Sequence, residues 1–311
     1  MILTITLNPS VDISYKLPGK LSLDTVNRVA DVSKTAGGKG LNVTRVLHQL
    51  EEEVAATGFI GGSLGDFIRK EISELGIHDC FVEIASATRN CIAVIHEGQQ
   101  TEILESGPTI TKEEADLFLK KLSSDAEKAD LITISGSLPR GLADNYYNKI
   151  LEKAFHLNTP VLLDTKGELL VHALENESKP YLIKPNQEEL ADLLNQQLFD
   201  ETDVIEALKS QQFADVPWIV VTLGVDGALI KHDQSIYKVT IPKVNAINPV
   251  GSGDSVIAGF AAGLSRGLAD EALIKFGLAM GVLNAMEEKT GYIDANKLEW
   301  CKEKIDIEKI P

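Results

Sequence analysis

Two kinds of hydrophobic pattern divide the chain. Before Ser106, several runs alternate apolar and polar positions: Val11-Asp12-Ile13-Ser14-Tyr15, Val26 to Val32, Thr88 to Glu97, and Thr101 to Glu105. A period of two is what a strand shows when one face is packed and the other is solvated. Gly98-Gln99-Gln100 joins the last two runs, so they read as a hairpin. Residues 11–35 and 88–105 are thus expected to form a small, separate sheet. Elsewhere the apolar runs are short and solid: Met1–Leu7, Val54–Ile60, Leu131–Ser135, Val161–Asp164, Tyr181–Lys184 and Trp218–Leu223, with a further pair at Ala228–Ile230 and Ile236–Ile241. Helical-period runs stand between many of them, from Gly40 through Leu50, over Asp66–Leu75, Glu113–Ala126 and Asn145–Phe155, and later over Val256–Leu264 and Glu271–Met286. Solid strands alternating with helices predict an α/β fold with a mostly parallel sheet and helices on both faces, built from residues 1–10, 36–87 and 106–311.

Such sheets bind ligands outside the C-terminal ends of their strands. Asn8, Ser137, Lys184 to Glu189 and Thr222 to Gly227 all fall at such ends. Two glycine-rich segments also run into helices. In Asn248-Pro249-Val250-Gly251-Ser252-Gly253-Asp254-Ser255, small residues sit where a helix begins and Asp254 stands in its first turn. A helix N-terminus carries unpaired N–H groups and partial positive charge, so it suits an anion. Asp254 beside that anion is placed to take a proton from an attacking nucleophile. The same pattern also serves as a plain glycine turn with an N-terminal helix charge. The second segment, Ala36-Gly37-Gly38-Lys39-Gly40-Leu41-Asn42-Val43, is not a Walker A loop. Ser33 stands where the first glycine belongs, and Gly40 stands where Ser or Thr should follow the lysine. It reads as close backbone approach to a polyhydroxyl or phosphate ligand, with Lys39 and Asn42 supplying side chains, or as a flexible turn with a solvated lysine. Lys184-Pro185-Asn186-Gln187-Glu188-Glu189 has capping-box spacing at Asn186 and Glu189. The same residues would suit the mouth of a nucleotide site, with Glu189 holding Mg2+ directly or through water. Asn284, on an apolar helix, reads either as core or as the edge of an adenine pocket.

Composition narrows the class. The chain has 311 residues, 44% hydrophobic and 24% charged, with a formal net charge of −16. That acidity disfavours nucleic acid and anionic membranes, and any phosphate site must be locally basic or built from backbone N–H groups. No apolar run approaches a membrane span. The N-terminus reads as a first strand rather than a signal peptide. Cys80, Cys91 and Cys301 are scattered, which argues for a reducing cytoplasm rather than a disulfide framework. No histidine has zinc-ligand spacing. A dehydrogenase would need Gly-x-Gly-x-x-Gly after the first strand, where Asn8-Pro9-Ser10 stands.

The ordered set of Asn8-Pro9-Ser10-Val11-Asp12, Gly37 to Val43, Gly136-Ser137-Leu138-Pro139, Lys184 to Glu189 and Gly251-Ser252-Gly253-Asp254 resembles the ribokinase or PfkB family of sugar kinases. Within it the chain is most similar to the hexose-phosphate branch. The resemblance implies a ribokinase-like three-layer α/β/α core with a Rossmann-like sheet, the small sheet acting as a lid, and dimers formed through that lid. It implies ATP and Mg2+ as cofactors and a sugar phosphate as substrate. Asp254 would be the catalytic base and Gly251, Ser252 and Gly253 the anion hole. Asp12, Gly38, Lys39, Asn42, Arg89 and Ser137 would hold the sugar phosphate, and Arg28 becomes a candidate if the lid covers a phosphate. Lys184, Asn186, Glu189, Thr222, Gly224, Gly227 and Asn284 would line the nucleotide site. Asn248-Pro249 stands where Asp-Thr is common in the family, which bears on a cation site near that segment. A non-catalytic sensor on this scaffold would be expected to lose the base or the anion loop, and both are present.

Overall fold

The structure, a computed structural model, describes residues 1–310. Strand β1 (Ile2–Thr6) opens the main sheet, and β2 (Ser10–Lys16) and β3 (Asp31–Gly37) leave it for the small one. The chain returns to the core through α1 (Lys39–Gln49), β4 (Val54–Ile60), α2 (Gly62–Glu74), β5 (His78–Asp79) and β6 (Val82–Glu83). The hairpin β7 (Arg89–His96) and β8 (Gln99–Leu104) completes the small sheet. Then follow α3 (Lys112–Ala126), β9 (Leu131–Ser135), α4 (Tyr146–His156), β10 (Val161–Asp164), α5 (Glu168–Glu175), β11 (Leu182–Ile183), α6 (Gln187–Leu194), α7 (Glu201–Leu208) and β12 (Trp218–Thr222). A hairpin of β13 (Ala228–His232) and β14 (Ser235–Thr240) precedes the helix pair α8 (Ser252–Ser265) and α9 (Asp270–Ala285), then α10 (Leu298–Lys304) and β15 (Asp306–Ile310).

The main sheet runs β15-β14-β13-β12-β11-β10-β9-β1-β4-β5, with β6 also on β4. Pairing is parallel from β12 to β5 and antiparallel from β12 to β15. The solid strands are explained by burial on both faces. Along β1, Ile2 packs toward α1, α8 and α9, while Leu3 and Ile5 pack toward α3 and α4. Thr4 shares the Ile2 side, and its hydroxyl meets that of Thr44 on α1 at 2.6 Å. The three layers follow from this alternation.

The small sheet runs β3-β2-β7-β8. Val11 and Ile13 of β2 pack with Ala36, Leu41 and the α2 residues Ile68 and Ile72. β8 is exposed along its length. One expected strand is displaced: the ladder starts at Asp31, opposite Lys16, and not at Val26. The Asn27 side chain explains the shift. Its Oδ1 accepts from the Ser22 N–H at 3.0 Å and its Nδ2 donates to the Ser22 carbonyl at 2.6 Å, fastening a loop in place of a ladder. The small sheet therefore reaches Gly37, two residues beyond the expected boundary at 35. The short helices α5, α7 and α10 and the strand β15 were not evident from the pattern.

Candidate active site

The loop before α8 is held by side-chain amides. Asn284, fully buried on α9, donates to the Val250 carbonyl at 3.0 Å and accepts from the Gly291 N–H at 2.8 Å. Asn248 accepts from the Val250 N–H at 3.0 Å and donates to the Glu288 carbonyl at 3.1 Å. Gly251 caps α8 at φ 83°, and a Cβ there would sit 2.4 Å from Thr290 Cγ2, so only glycine fits. No side chain caps the helix. The Ser252 N–H is spent on the Pro249 carbonyl at 3.2 Å. Among the described residues the N–H groups of Gly251, Gly253 and Asp254 have no acceptor, so these carry the anion-binding capacity.

Asp254 lies one residue further, 5% exposed. Asn42 on α1 donates to its Oδ2 at 2.8 Å. Burial pushes its carboxyl up and nearby Asp164 pushes it further, while Lys39, Asn42 and Lys184 pull it back, leaving it at about 6. A carboxyl poised there is ionised at neutral pH yet basic enough to accept a proton.

Asp164, at the C-terminal end of β10, lies between two lysines. Lys39 Nζ is 3.3 Å from its Oδ2 and Lys184 Nζ is 3.4 Å from its Oδ1. It is 1% exposed. Burial alone would raise its carboxyl, but Lys184 and Lys39 together hold it below the usual carboxylate range. In return Asp164 raises the Lys39 ammonium, with Asp254 and Glu189 contributing. Lys184 in turn lies 3.0 Å from where a Cβ on Gly253 would stand, which sets its ammonium against the anion loop.

On one side of Asp254, Ser10 donates to Asp12 at 2.6 Å, and Gly37 passes so close to the Asp12 carboxylate that a Cβ would overlap it. Burial raises the Asp12 carboxyl, opposed by Ser10, Arg45 and Arg89. Arg89 donates to the Asn8 carbonyl at 2.9 Å and the Glu105 carbonyl at 2.8 Å, where the small sheet meets the core. Asn8 Nδ2 reaches Ser137 Oγ at 3.4 Å. Gly38 caps α1 at φ 104° without a side-chain cap. Asp12, Gly38, Lys39, Asn42, Arg89 and Ser137 are thus linked into one region. Arg28 is not: it is exposed in the Asn27 loop and, among the described residues, has no hydrogen-bond or ion-pair partner.

On the other side, Asn186 and Glu189 do form the capping box. Glu189 N–H donates to Asn186 Oδ1 at 2.7 Å and Asn186 N–H to Glu189 Oε2 at 3.1 Å. Glu189 Oε1 has no protein partner among the described residues. Thr222 bridges Asn186, its N–H on the Pro185 carbonyl at 3.1 Å. Gly224 has open space around it, whereas Gly227 packs against the Val239 carbonyl and is held by the fold. Asn284, as above, is sealed beneath the anion loop rather than facing a pocket. No group of three or more His, Cys, Asp or Glu among the described residues could hold a metal ion. Mg2+, which keeps waters and binds mainly through substrate phosphates, needs no such group, and the free Glu189 oxygen would be its protein partner.

Two residues of the site were not singled out from the sequence. Asp164 ends a strand, and that position was its signal. Arg45 stands one turn after Asn42 and is 7% exposed, a charge on the packed face of α1. A groove of about 770 Å³, lined by Asp130, Phe155, Lys179 and Tyr181 at the opposite ends of the strands, holds none of these residues.

The pfkB family carbohydrate kinase profile matches residues 5–296. A tagatose-6-phosphate kinase from Staphylococcus epidermidis (strain ATCC 12228 / FDA PCI 1200) is 49% identical over 308 residues, covering 99% of each chain. Phosphofructokinase-2 from Escherichia coli in complex with fructose-6-phosphate superimposes with a TM-score of 0.87 at 26% identity, covering 97% of this chain and 98% of that one. The tetrameric inhibited form of the same enzyme gives a TM-score of 0.88 at 25% identity over the same shares. Among the described residues no helix is long and apolar enough to cross a membrane. With its anion loop, buried carboxylate and anchored lysines, the chain belongs to the pfkB family of carbohydrate kinases, ATP-dependent phosphotransferases that act on sugars.

Proposed function

We propose that the chain phosphorylates a hexose phosphate, converting tagatose 6-phosphate to tagatose 1,6-bisphosphate, with Asp254 as the base. The observation that carries the chemistry is the buried Asp254 carboxylate, poised at about 6, at an uncapped helix start in the field of two lysines that are anchored on Asp164. The 49% identity to a tagatose-6-phosphate kinase over 99% of the chain favours this substrate. ATP supplies the phosphoryl group, and Mg2+ held at Glu189 would offset its charge. Asp254 accepts the proton of the attacking sugar hydroxyl, whose oxygen forms the new bond to phosphorus as ADP leaves. The Gly251 and Gly253 N–H groups receive the charge that develops on the phosphoryl oxygens, and Lys39 and Lys184 flank it. Asp12, Gly38, Asn42, Arg89 and Ser137 hold the sugar phosphate, with Lys184, Asn186, Glu189, Thr222 and Gly224 along the nucleotide. The small sheet, residues 11–35 and 88–105 extended to Gly37, acts as a lid that excludes water.

Steady-state kinetics on tagatose 6-phosphate, fructose 1-phosphate, fructose 6-phosphate and ribose test the substrate. The highest kcat/KM is expected on tagatose 6-phosphate. A preference for fructose 1-phosphate would make the chain a 1-phosphofructokinase, and a preference for ribose would overturn the hexose-phosphate reading. We also assign a homodimer through the lid, supported by exposed Val32, Ile103 and Leu104 on its strands. Sedimentation of wild type and of Ile103→Lys tests it, and a wild-type monomer would sink it.

A further inference from the structure

We infer that Arg45 is a positioning residue for the catalytic base: it fixes the Asn42 amide so that the NH2 end, and not the carbonyl, faces Asp254. The inference rests on Asp254 being the base. The two ends of an asparagine amide have nearly the same shape and opposite hydrogen-bond character. Which end meets Asp254 therefore decides the state of the carboxyl. A carbonyl there would be satisfied only by a protonated acid, which cannot take a proton from a sugar. An NH2 there favours the carboxylate.

Asn42 cannot settle this alone, and Arg45 settles it. A guanidinium is donor-only, so its neighbour must present an acceptor. Arg45 Nη2 lies 2.7 Å from Asn42 Oδ1, which turns Nδ2 toward Asp254 Oδ2 at 2.8 Å. The residues are three apart on α1, so the two side chains share a face. Arg45 is itself held: Nη1 donates to the Ala36 carbonyl at 2.7 Å, and the guanidinium lies 5.7 Å from the centre of the Tyr292 ring. The other charged groups around Asp254 are Asp164 at the end of β10, Lys39 at the start of α1 and Lys184 after β11. None of them hydrogen-bonds to the Asn42 amide. Through Ala36, the same guanidinium also tethers the chain just before Gly37 and Gly38. A purely structural arginine would stiffen that segment without setting the ionisation of Asp254.

The pH dependence of kcat separates the two roles. In Arg45→Met the amide is free to turn, and the acidic limb of the profile is expected to move up by about one pH unit, which reduces kcat about twofold at pH 7 and about fivefold at pH 6. KM for ATP should change by less than about threefold, since none of the residues assigned to the nucleotide touches Arg45 or Asn42. Arg45→Lys keeps a donor-only cation and should return the limb to near its wild-type position. Should the methionine variant not fold, Arg45→Gln carries the test, because its amide can present either end; its limb should also move up. A folded Arg45→Met or Arg45→Gln enzyme with reduced kcat and an unmoved acidic limb would overturn the inference. An active Asp254→Asn enzyme would instead remove the base on which it rests, so the two failures are distinguishable.

Discussion

Helices α1 and α8 both start on a glycine at positive φ, 104° at Gly38 and 83° at Gly251, and neither start is capped by a side chain. Helix α6, at the edge of the same site, is capped twice over by Asn186 and Glu189. The difference is in what the free N–H groups are kept for. α6 spends its own on side chains, whereas α8 leaves the Gly251, Gly253 and Asp254 groups for a ligand. The first turns of α1 and α8 differ as well. α8 carries a carboxylate, Asp254, which its dipole favours but burial disfavours. α1 carries Lys39 and no acid, a cation at the wrong end of a helix. Each charge is held by another element: Asp254 by Asn42 of α1, Lys39 by Asp164 of β10. Charges that a helix would not keep on its own are a mark of the site, because each costs stability that only its use there explains.

The comparison breaks most sharply at Asp254. Asp254→Asn should lower kcat by about 10²–10⁴ while the fold persists; turnover within about tenfold of wild type would take the residue out of the base role. Next comes the lysine side. Asp164→Asn leaves Lys184 buried without its counter-charge and should cost about 3–5 kcal/mol in chemical unfolding. Because Asp164 is held below 3.8 in the folded protein, that stability is present above pH 3.8 and is lost as pH falls below it. A gap between wild type and variant that closed at pH 5 would contradict the lysine anchor. The opposite sign is expected for stability at Asp254. Its folded carboxyl stands at about 6 against 3.8, so burying the ionised form disfavours folding. Asp254→Asn should therefore be more stable than wild type by on the order of 2–3 kcal/mol above pH 6, the gain fading toward pH 3.8. Melting curves across pH check this, and equal stability at pH 7.5 would deny the cost of the base. The smallest effect is expected at Arg28, whose exposed loop touches no part of the site. Arg28→Ala should change kcat/KM less than about twofold; a tenfold rise in KM for the sugar phosphate would bring that loop into the site.

Much of this was legible in the sequence where one physical rule dominates. Val54–Ile60 and Val161–Asp164 are strands with the expected bounds because strands buried on both faces must be solidly apolar. Gly251 and Asp254 stood out as a glycine helix start followed by an acid, a pattern that fits a plain turn equally well, and only folding shows Asp254 buried against Asn42. Where two rules compete, the pattern misled. Val26–Val32 alternates like a strand, but Asn27 offers the backbone a local partner and a loop wins. Asp164 is one acid among many until β10 lies beside β11 and brings Lys184 to it. Arg45 looks like a surface helix residue until α1 is docked with that face inward. Asn284 fitted the edge of a pocket equally well, and only the return of the chain at Gly291 seals it under the anion loop.

The small sheet is joined to the core by four crossings, and Arg89 ties three of them: its own, the one at Asn8 and the one at Glu105. Such a junction makes the sheet a cassette. Its loops can be lengthened and its outer face redesigned while the register of the core is kept, provided that one guanidinium, its two carbonyls and the packing of Val11 and Ile13 on α2 survive. For evolution and for engineering alike, new sugar preferences are then most accessible through the cassette, and Arg89 is the position at which such changes would be least tolerated.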